Sequence, residues 1–408
     1  VNCRFCANPL QHVFVDLGHA PPSNAYLTAE QLELPEVTYP LKLYVCDRCW
    51  LVQVSAHAAA DQIFTPDYAY FSSVSTTWVE HARRYVEMIG ERLRLDRDSL
   101  VVEIASNDGY LLQFVRSRGI PCLGIEPTAS TAQAARQRGI ETIEAFFGAD
   151  LARRLVSQRR PADLIVANNV LAHVPGINDF ASGMRELLAP RGVATFEFPH
   201  LMQLVEQTQF DTIYHEHYSY LSLYTVQQVL RSQGLEVFDV EQLPTHGGSL
   251  RVYAQRADTP RESAADSVVE LLAEEHRRGM RDLPYYAGFQ TRAERIKNDM
   301  LAFLLEQKRA GRTVAGYGAA AKGNTLLNFA GVRPDLVPYV CDAAPSKQGK
   351  FLPGSHIPVL APTAIEENRP AYVAILPWNL RVEISVSLRG IRNWDGRFVI
   401  AVPALDVF

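Results

Sequence analysis

The chain has 408 residues, 47% hydrophobic and 21% charged, with a formal charge of −5. At roughly 100–200 residues per domain that length predicts two or three compact units and excludes a single small binding module. The 24 glycines and 24 prolines are dispersed, which excludes long disorder and collagen-like structure. The acidic balance lacks the electrostatic footprint of a nucleic-acid binder, so the expected partner is a small molecule.

No apolar run approaches the roughly 18 residues of a membrane span, and the opening VNCRFCANPL has neither the basic nor the apolar region of a signal peptide. A cytoplasmic protein with no membrane partner is expected. The first stretch, residues 1–76, contains CRFC (Cys3, Cys6) and CDRC (Cys46, Cys49) around strand-like HVFVDLG, the loop APPSNAYL and the alternating YPLKLYVCDRCWLVQV. Four thiolates on neighbouring strands fill the tetrahedral shell of Zn²⁺ and leave no open position for a catalytic water. This predicts a structural zinc. Six cysteines are too few for a disulfide framework, and a redox pair is the weaker alternative.

Residues 77–260 begin with the amphipathic WVEHARRYVEMIG and continue in a strand–helix rhythm. Strands are expected at Leu100 to Ile104, Cys122 to Pro127, Thr142 to Phe146, Asp163 to Asn169 and Val193 to Phe198, with LEVFDVEQL and GGSLRVYAQR as a closing antiparallel pair. The rhythm predicts a mainly parallel, doubly wound sheet with ligands beyond the carboxyl ends of its strands. In the turn EIASNDGYLL, Ala105, Ser106, Asn107 and Gly109 let the backbone approach a ligand and Asp108 can accept hydrogen bonds. One glycine argues against a pyrophosphate cradle. Glu126, with Pro127, ends the second strand where a carboxylate takes both hydroxyls of a ribose. Phe146 and Phe147 offer faces for an adenine, and Asn168 ends the fourth strand in reach of cofactor or sugar. An adenosine without a diphosphate fits this set, which points to S-adenosylmethionine. Tyr70, Ser72 and Ser73 either bind the methionine carboxylate or cap the helix that follows.

Residues 261–408 open with a helical connector, about Glu262 to Ala310, with a break expected at Leu283-Pro284. A second strand–loop–helix unit, RTVAGYGAAAKGNTLLN, then starts a smaller α/β sheet with LVPYV, AYVAIL and FVIAV. Gly316, Gly318 and Ala321 have G-x-G-x-x-A spacing, and Asp342 follows 24 residues after Gly318. Alone, this fingerprint supports an NAD(P)-dependent oxidoreductase acting on a nucleotide sugar.

Taken in order, CRFC and CDRC, APPSNAYL, EIASNDGYLL, GIEPT, VLAHVPG, YHEHYSYLS, THGGSLRVY, GYGAAAKGNTLLN and CDAAPSKQGKFLPG make a chain that resembles the zinc-containing, S-adenosylmethionine-dependent sugar C-methyltransferases. The resemblance implies an α/β protein: a β-rich zinc-binding domain (1–76), a central Rossmann-like methyltransferase fold (77–260), and a connector with a smaller Rossmann-like domain (261–408). It implies methylation of a carbon, C3 or C5 with C3 the commoner outcome, beside the C4 ketone of a nucleotide-linked 4-keto-deoxysugar, through an enolate, in antibiotic-type branched sugar biosynthesis. His217 is then the base, Tyr214 and Glu216 orient sugar or imidazole, His173 stabilises the oxyanion or relays a proton, and Tyr68 completes the pocket. Tyr317, Gly318, Ala320, Lys322, Gly323, Asn324 and Asp342 would hold the nucleotide diphosphate, with Lys322 and the backbone amides on the phosphates. Strict strand alternation separates Tyr214 from His217, so irregular or helical backbone is expected there. A metal on His215 and His217, and a binding scaffold without chemistry, are weaker readings. A monomer is expected, since three domains can form the cleft within one chain.

Overall fold

Leu41, Leu43 and Val45 are buried while Lys42 and Tyr44 between them are not, the period-two alternation of a strand with one covered face. This strand is β2 (Tyr39–Val45), antiparallel between β1 (His12–Ala20) and β3 (Val52–Val54). The computed structural model describes residues 1–55 and 71–408, so Tyr68 and Tyr70 lie outside the described residues. The two CxxC turns are built alike. Ala7 and Trp50, each following a second cysteine, have φ of 59° and 62° and donate backbone hydrogen bonds to the carbonyls of Cys3 and Cys46, both at 2.9 Å.

Ser75 accepts from the Trp78 amide and starts the helix Thr76–Leu93, which buries Trp78, Ala82, Tyr85, Val86, Ile89 and Leu93 along one face. After it come β4 (Val101–Ile104), β5 (Cys122–Ile125), β6 (Thr142–Ile143), β7 (Ala162–Asn168), β8 (Leu188–Pro199), β9 (Ser219–Tyr220), β10 (Leu235–Leu243) and β11 (Ser249–Arg256). Seven of them form one sheet in the order β10-β11-β8-β7-β4-β5-β6. The five from β4 to β8 are parallel, and β11 runs antiparallel to both neighbours. β6 stops at Ile143, short of the predicted end, because the chain turns outward and leaves Phe146 53% exposed. β9 does not join this sheet. It pairs with β3 and completes the amino-terminal one, so the units are interlaced.

In the connector, the helices Asp266–Arg277 and Phe289–Arg309 are separated at Gly279, where φ is +83°. The expected break at Pro284 is displaced: that proline sits in the first turn of the short helix Leu283–Tyr286, where a missing N–H costs nothing. The third sheet comprises β12 (Val314–Tyr317), β13 (Val340–Cys341), β14 (Val359–Leu360), β15 (Tyr372–Ile375), β16 (Arg397–Ile400) and β17 (Asp406–Val407), in the order β14-β13-β12-β15-β16-β17. Only β17 is antiparallel. One apolar core runs from the amino-terminal sheet through residues 201–220 into this third sheet, with Phe14 on Phe289 at 4.4 Å. The cysteines pack instead with the central sheet. Among the described residues no helix is long and apolar enough to cross a membrane.

Candidate active site

A cavity of 1190 Å³ opens between the carboxyl ends of the central sheet, the amino-terminal loop at Asn24 and the third sheet unit. It exceeds the roughly 300–1,000 Å³ of a site for one small ligand. At one end, the turn after β4 places three left-handed residues, Ala105, Asn107 and Gly109, within five positions. Ala105 and Asn107 reach the wall, as do Glu126, Pro127, Phe146, Phe147 and Asn168 from the next strand ends. The Glu126 carboxylate is buried and accepts from the amides of Asn107 (2.9 Å) and Thr128 (3.0 Å) and from the Thr128 hydroxyl. Asn168 Oδ1 is buried without a hydrogen-bond partner among the described residues.

Other expected cofactor residues stand behind this wall. Ser106 is buried against Gly124, where a Cβ would strike its hydroxyl. Asp108 pairs with Arg138 at 3.1 Å and accepts from the Ser73 hydroxyl. Ser72 reaches the cavity, and its amide donates to Asn107 Oδ1 at 2.8 Å. The segment carrying Ser72 and Ser73 is thus clamped onto the β4 turn.

Residues 214–217 form the expected irregular backbone. The His217 amide donates to the Tyr214 carbonyl at 3.0 Å, closing a turn that brings the two rings within 4.0 Å. His217 Nδ1 lies 3.0 Å from the Thr212 carbonyl, which can only accept, so Nδ1 carries the proton and Nε2 holds a lone pair. Burial, and then the adjacent His173, holds this imidazole neutral well below its ordinary range. His173, 4.6 Å away edge to face, is pulled down to about 4 by burial. Both rings and Tyr214 line the cavity. Glu216 does not: its buried carboxyl, pushed up by burial, takes Asn24 Nδ2 at 3.1 Å and so fixes a residue that is on the wall. His215 faces Tyr39 and the Pro40 carbonyl, so the two imidazoles of the run point to different surroundings.

Glu197, which as the end of the fifth expected strand is placed by the sequence at the sheet edge where a ligand would sit, lies behind the same wall at the centre of a second cluster whose other members sequence reading missed. His81 Nε2 lies 3.0 and 2.9 Å from the two oxygens of Glu197, which also takes Arg251 at 2.9 Å and Thr245 at 3.1 Å. Burial pushes the Glu197 carboxyl up, but His81 and Arg251 outweigh it and hold it low. His246 and Asn169, with φ of 54° and 52°, meet at 3.2 Å, and the Trp78 ring lies 4.9 Å from His81 and 5.1 Å from His246. A signal existed: Trp78 and His81 are three apart on a helix read only for its apolar face.

From the third unit, Ala320 and Lys322 reach the cavity at the start of helix Ala321–Phe329, joined by Lys347. Lys322 Nζ donates to Asn379 Oδ1 at 2.6 Å and lies 4.8 Å over the Trp378 ring. Burial lowers its affinity for the proton, and Asp211, itself pushed up to about 6 by burial, opposes that. The glycine fingerprint has a packing cause. A Cβ on Gly318 (φ +88°) would collide with Pro377, and one on Gly323 would come within 2.9 Å of Leu376. Tyr317, Gly318, Gly323, Asn324 and Asp342 stay off the wall. Asn324 donates to the Ser23 carbonyl at 2.6 Å, and Asp342 accepts from the Ala344 amide at 2.8 Å with Lys347 at 3.5 Å.

The four cysteine Sγ atoms lie within 4.8 Å of one another, with Cys3–Cys49 at 3.5 Å and Cys6–Cys46 at 3.6 Å. Tetrahedral zinc with bonds near 2.3 Å sets sulfurs about 3.8 Å apart, so the donors fit. Among the described residues no other group of histidines, cysteines or carboxylates qualifies as a metal cluster.

Fold and site together define an S-adenosylmethionine-dependent methyltransferase with a zinc-binding unit. Family profiles match in three consecutive stretches: a zinc binding domain over residues 3–64, a methyltransferase domain over 78–240 and a C-methyltransferase C-terminal domain over 244–403. The chain is 35% identical to "C-methyltransferase NovU" of Streptomyces niveus, over 98% of this chain and 95% of that one. It belongs to the C-methyltransferase family, and the oxidoreductase reading of the glycine fingerprint falls. Among solved structures it is similar to an S-adenosylmethionine-dependent methyltransferase of Anabaena variabilis (14% identity, 50% of this chain, 99% of that chain, TM-score 0.39). It is also similar to the magnesium protoporphyrin IX methyltransferase of Synechocystis (12%, 50%, 100%, TM-score 0.36).

Proposed function

We propose that the protein methylates a carbon, C3, beside the C4 ketone of a nucleotide-linked 4-keto-deoxysugar. The observation that carries this reading is the neutral His217, its Nε2 unprotonated, beside Tyr214 and His173 in a cavity that extends from Glu126 and Asn168 to Lys322. A base of this kind suits removal of a proton made acidic by an adjacent carbonyl.

S-adenosylmethionine supplies an electrophilic methyl group. His217 Nε2 takes the proton from the sugar carbon, and the electron pair of the C–H bond moves onto the ketone oxygen. Tyr214 and His173 stabilise that oxygen as it becomes an enolate. Bound S-adenosylmethionine would give its methyl to that carbon and leave as the thioether, and His217 keeps the proton on Nε2 until product leaves. Glu126 and Asn168 seat the adenosine and its sulfonium end. Lys322, with Lys347 behind it, meets the diphosphate at the other end of the cavity, in keeping with the charge-assisted recognition of phosphate by lysine. Tyr68 and the remaining expected contacts of Tyr70, Ser73 and Asp342 belong to this reading as expectations.

The test is mass spectrometry and carbon NMR of products from a panel of nucleotide-linked 4-keto-deoxysugars. The expected product gains one CH₂ at C3. A methyl on oxygen or nitrogen, or turnover of no keto sugar in the panel, overturns the proposal.

A further inference from the structure

We propose that Arg4, directly after the first cysteine of the first pair, is a positioning residue that ties the zinc knuckle to both imidazole-bearing segments of the active site. The inference rests on the methyl-transfer reading above. Its Nη1 donates to the Pro175 carbonyl at 3.3 Å, two residues beyond His173, and Pro175 is on the cavity wall. Its Nη2 donates to the Val54 carbonyl at 2.6 Å, while the Val54 amide donates to the Tyr218 carbonyl at 3.2 Å. The guanidinium also sits 5.2 Å over the Tyr218 ring, directly after His217. Its own backbone amide is held by Gln53 Oε1 at 2.9 Å, and Gln53 Nε2 donates to Cys3 Sγ at 3.2 Å. One planar cation thus makes separate contacts with the loops of His173 and His217 from a backbone fixed by the metal turn. A second link runs alongside, from Asn178 Nδ2 to the Phe5 carbonyl at 2.9 Å. Lysine cannot reproduce the forked geometry, although it keeps the charge.

The experiment compares wild type, Arg4→Met and Arg4→Lys as zinc-loaded full-length proteins. Zinc content, S-adenosylmethionine affinity, kcat, KM and hydrogen exchange of residues 172–178 and 214–220 are measured. Arg4→Met is expected to keep its zinc and cofactor affinity, lose about 10–100-fold in kcat with KM nearly unchanged, and exchange faster in those two segments. Arg4→Lys should recover part of both effects. Unchanged exchange in both segments with zinc retained overturns the proposal, as does loss of zinc in both variants, which would make Arg4 a residue of the metal site alone. A wild type that transfers no methyl to any keto sugar fails the functional reading, and the exchange readout still decides the role of Arg4.

Discussion

His173 and His217 meet edge to face with ring centroids 4.6 Å apart, and both stand where a charge is disfavoured. Loss of solvent disfavours a proton on either ring, and on His217 the neighbouring His173 adds to that. In the proposed role of base, His217 is therefore competent well into the acid range. In a kcat profile the acid limb should fall below pH 6.5. His217→Asn should lose about 10²–10⁴-fold or more in transfer while calorimetry gives near-normal cofactor affinity. An acid limb above pH 7, or lost cofactor binding, would remove His217 as the base.

Folding stability carries the same signature. His173, His217 and His246 all have folded-state proton affinities pushed down by burial, to about 4 for His173 and His246. Unfolded, each protonates below about pH 6.5. At these three sites the unfolded state then binds more protons, so the stability they contribute is complete above pH 6.5. It declines by up to about 1.4 kcal/mol per pH unit per imidazole as pH falls toward 4. Urea midpoints between pH 7 and 4.5 test this: the slope should be shallower in His246→Asn than in wild type.

Zinc removal should cost the amino-terminal sheet its closure. Chelation, or Cys46→Ser, is expected to lower the melting temperature and release about one zinc per chain, measured by metal analysis. A protein that melts unchanged after losing its metal would show that the apolar core alone holds this sheet.

Gly318→Ala should destabilise the third unit by about 1–3 kcal/mol, because it combines a positive φ with a collision at Pro377. The loss should be the same in ligand-free and ligand-bound protein by thermal denaturation. An unchanged melting temperature with weakened nucleotide binding would return this glycine to the ligand.

Lys322→Met should raise KM for the nucleotide-linked substrate about tenfold or more, the scale of one lost charge-assisted contact, and leave cofactor affinity intact. Steady-state kinetics with the sugar nucleotide and calorimetry with S-adenosylmethionine separate the two. Equal weakening of both ligands would place the lysine elsewhere in the reaction.

Local patterns were readable in the sequence, and convergences were not. The four cysteines, the strand rhythm from Val101 to Pro199 and the closing antiparallel pair follow from spacing and alternation, which act over a few residues. So does the turn at Tyr214, since strand geometry could not bring it to His217. His81, Asn169 and His246 come from a helix, a strand end and a loop, and nothing local announces that they share a wall. Glu216 illustrates the converse: it stands between two residues on the cavity wall, Tyr214 and His217, yet its side chain turns inward to Asn24. The glycine loop misled for a physical reason, since close packing on Pro377 and Leu376 demands the same residues as a phosphate cradle.

The pairing of β3 with Ser219–Tyr220 sets a schedule for synthesis. The cysteine turns leave the ribosome well before the strand that finishes their sheet, which starts only at Ser219, and they can take up metal early. Until it emerges, β3 presents an open edge, the kind of surface that invites wrong pairing during translation. Its completion arrives with the segment that carries His217, so the amino-terminal sheet closes only when Tyr214 to His217 are already in the nascent chain.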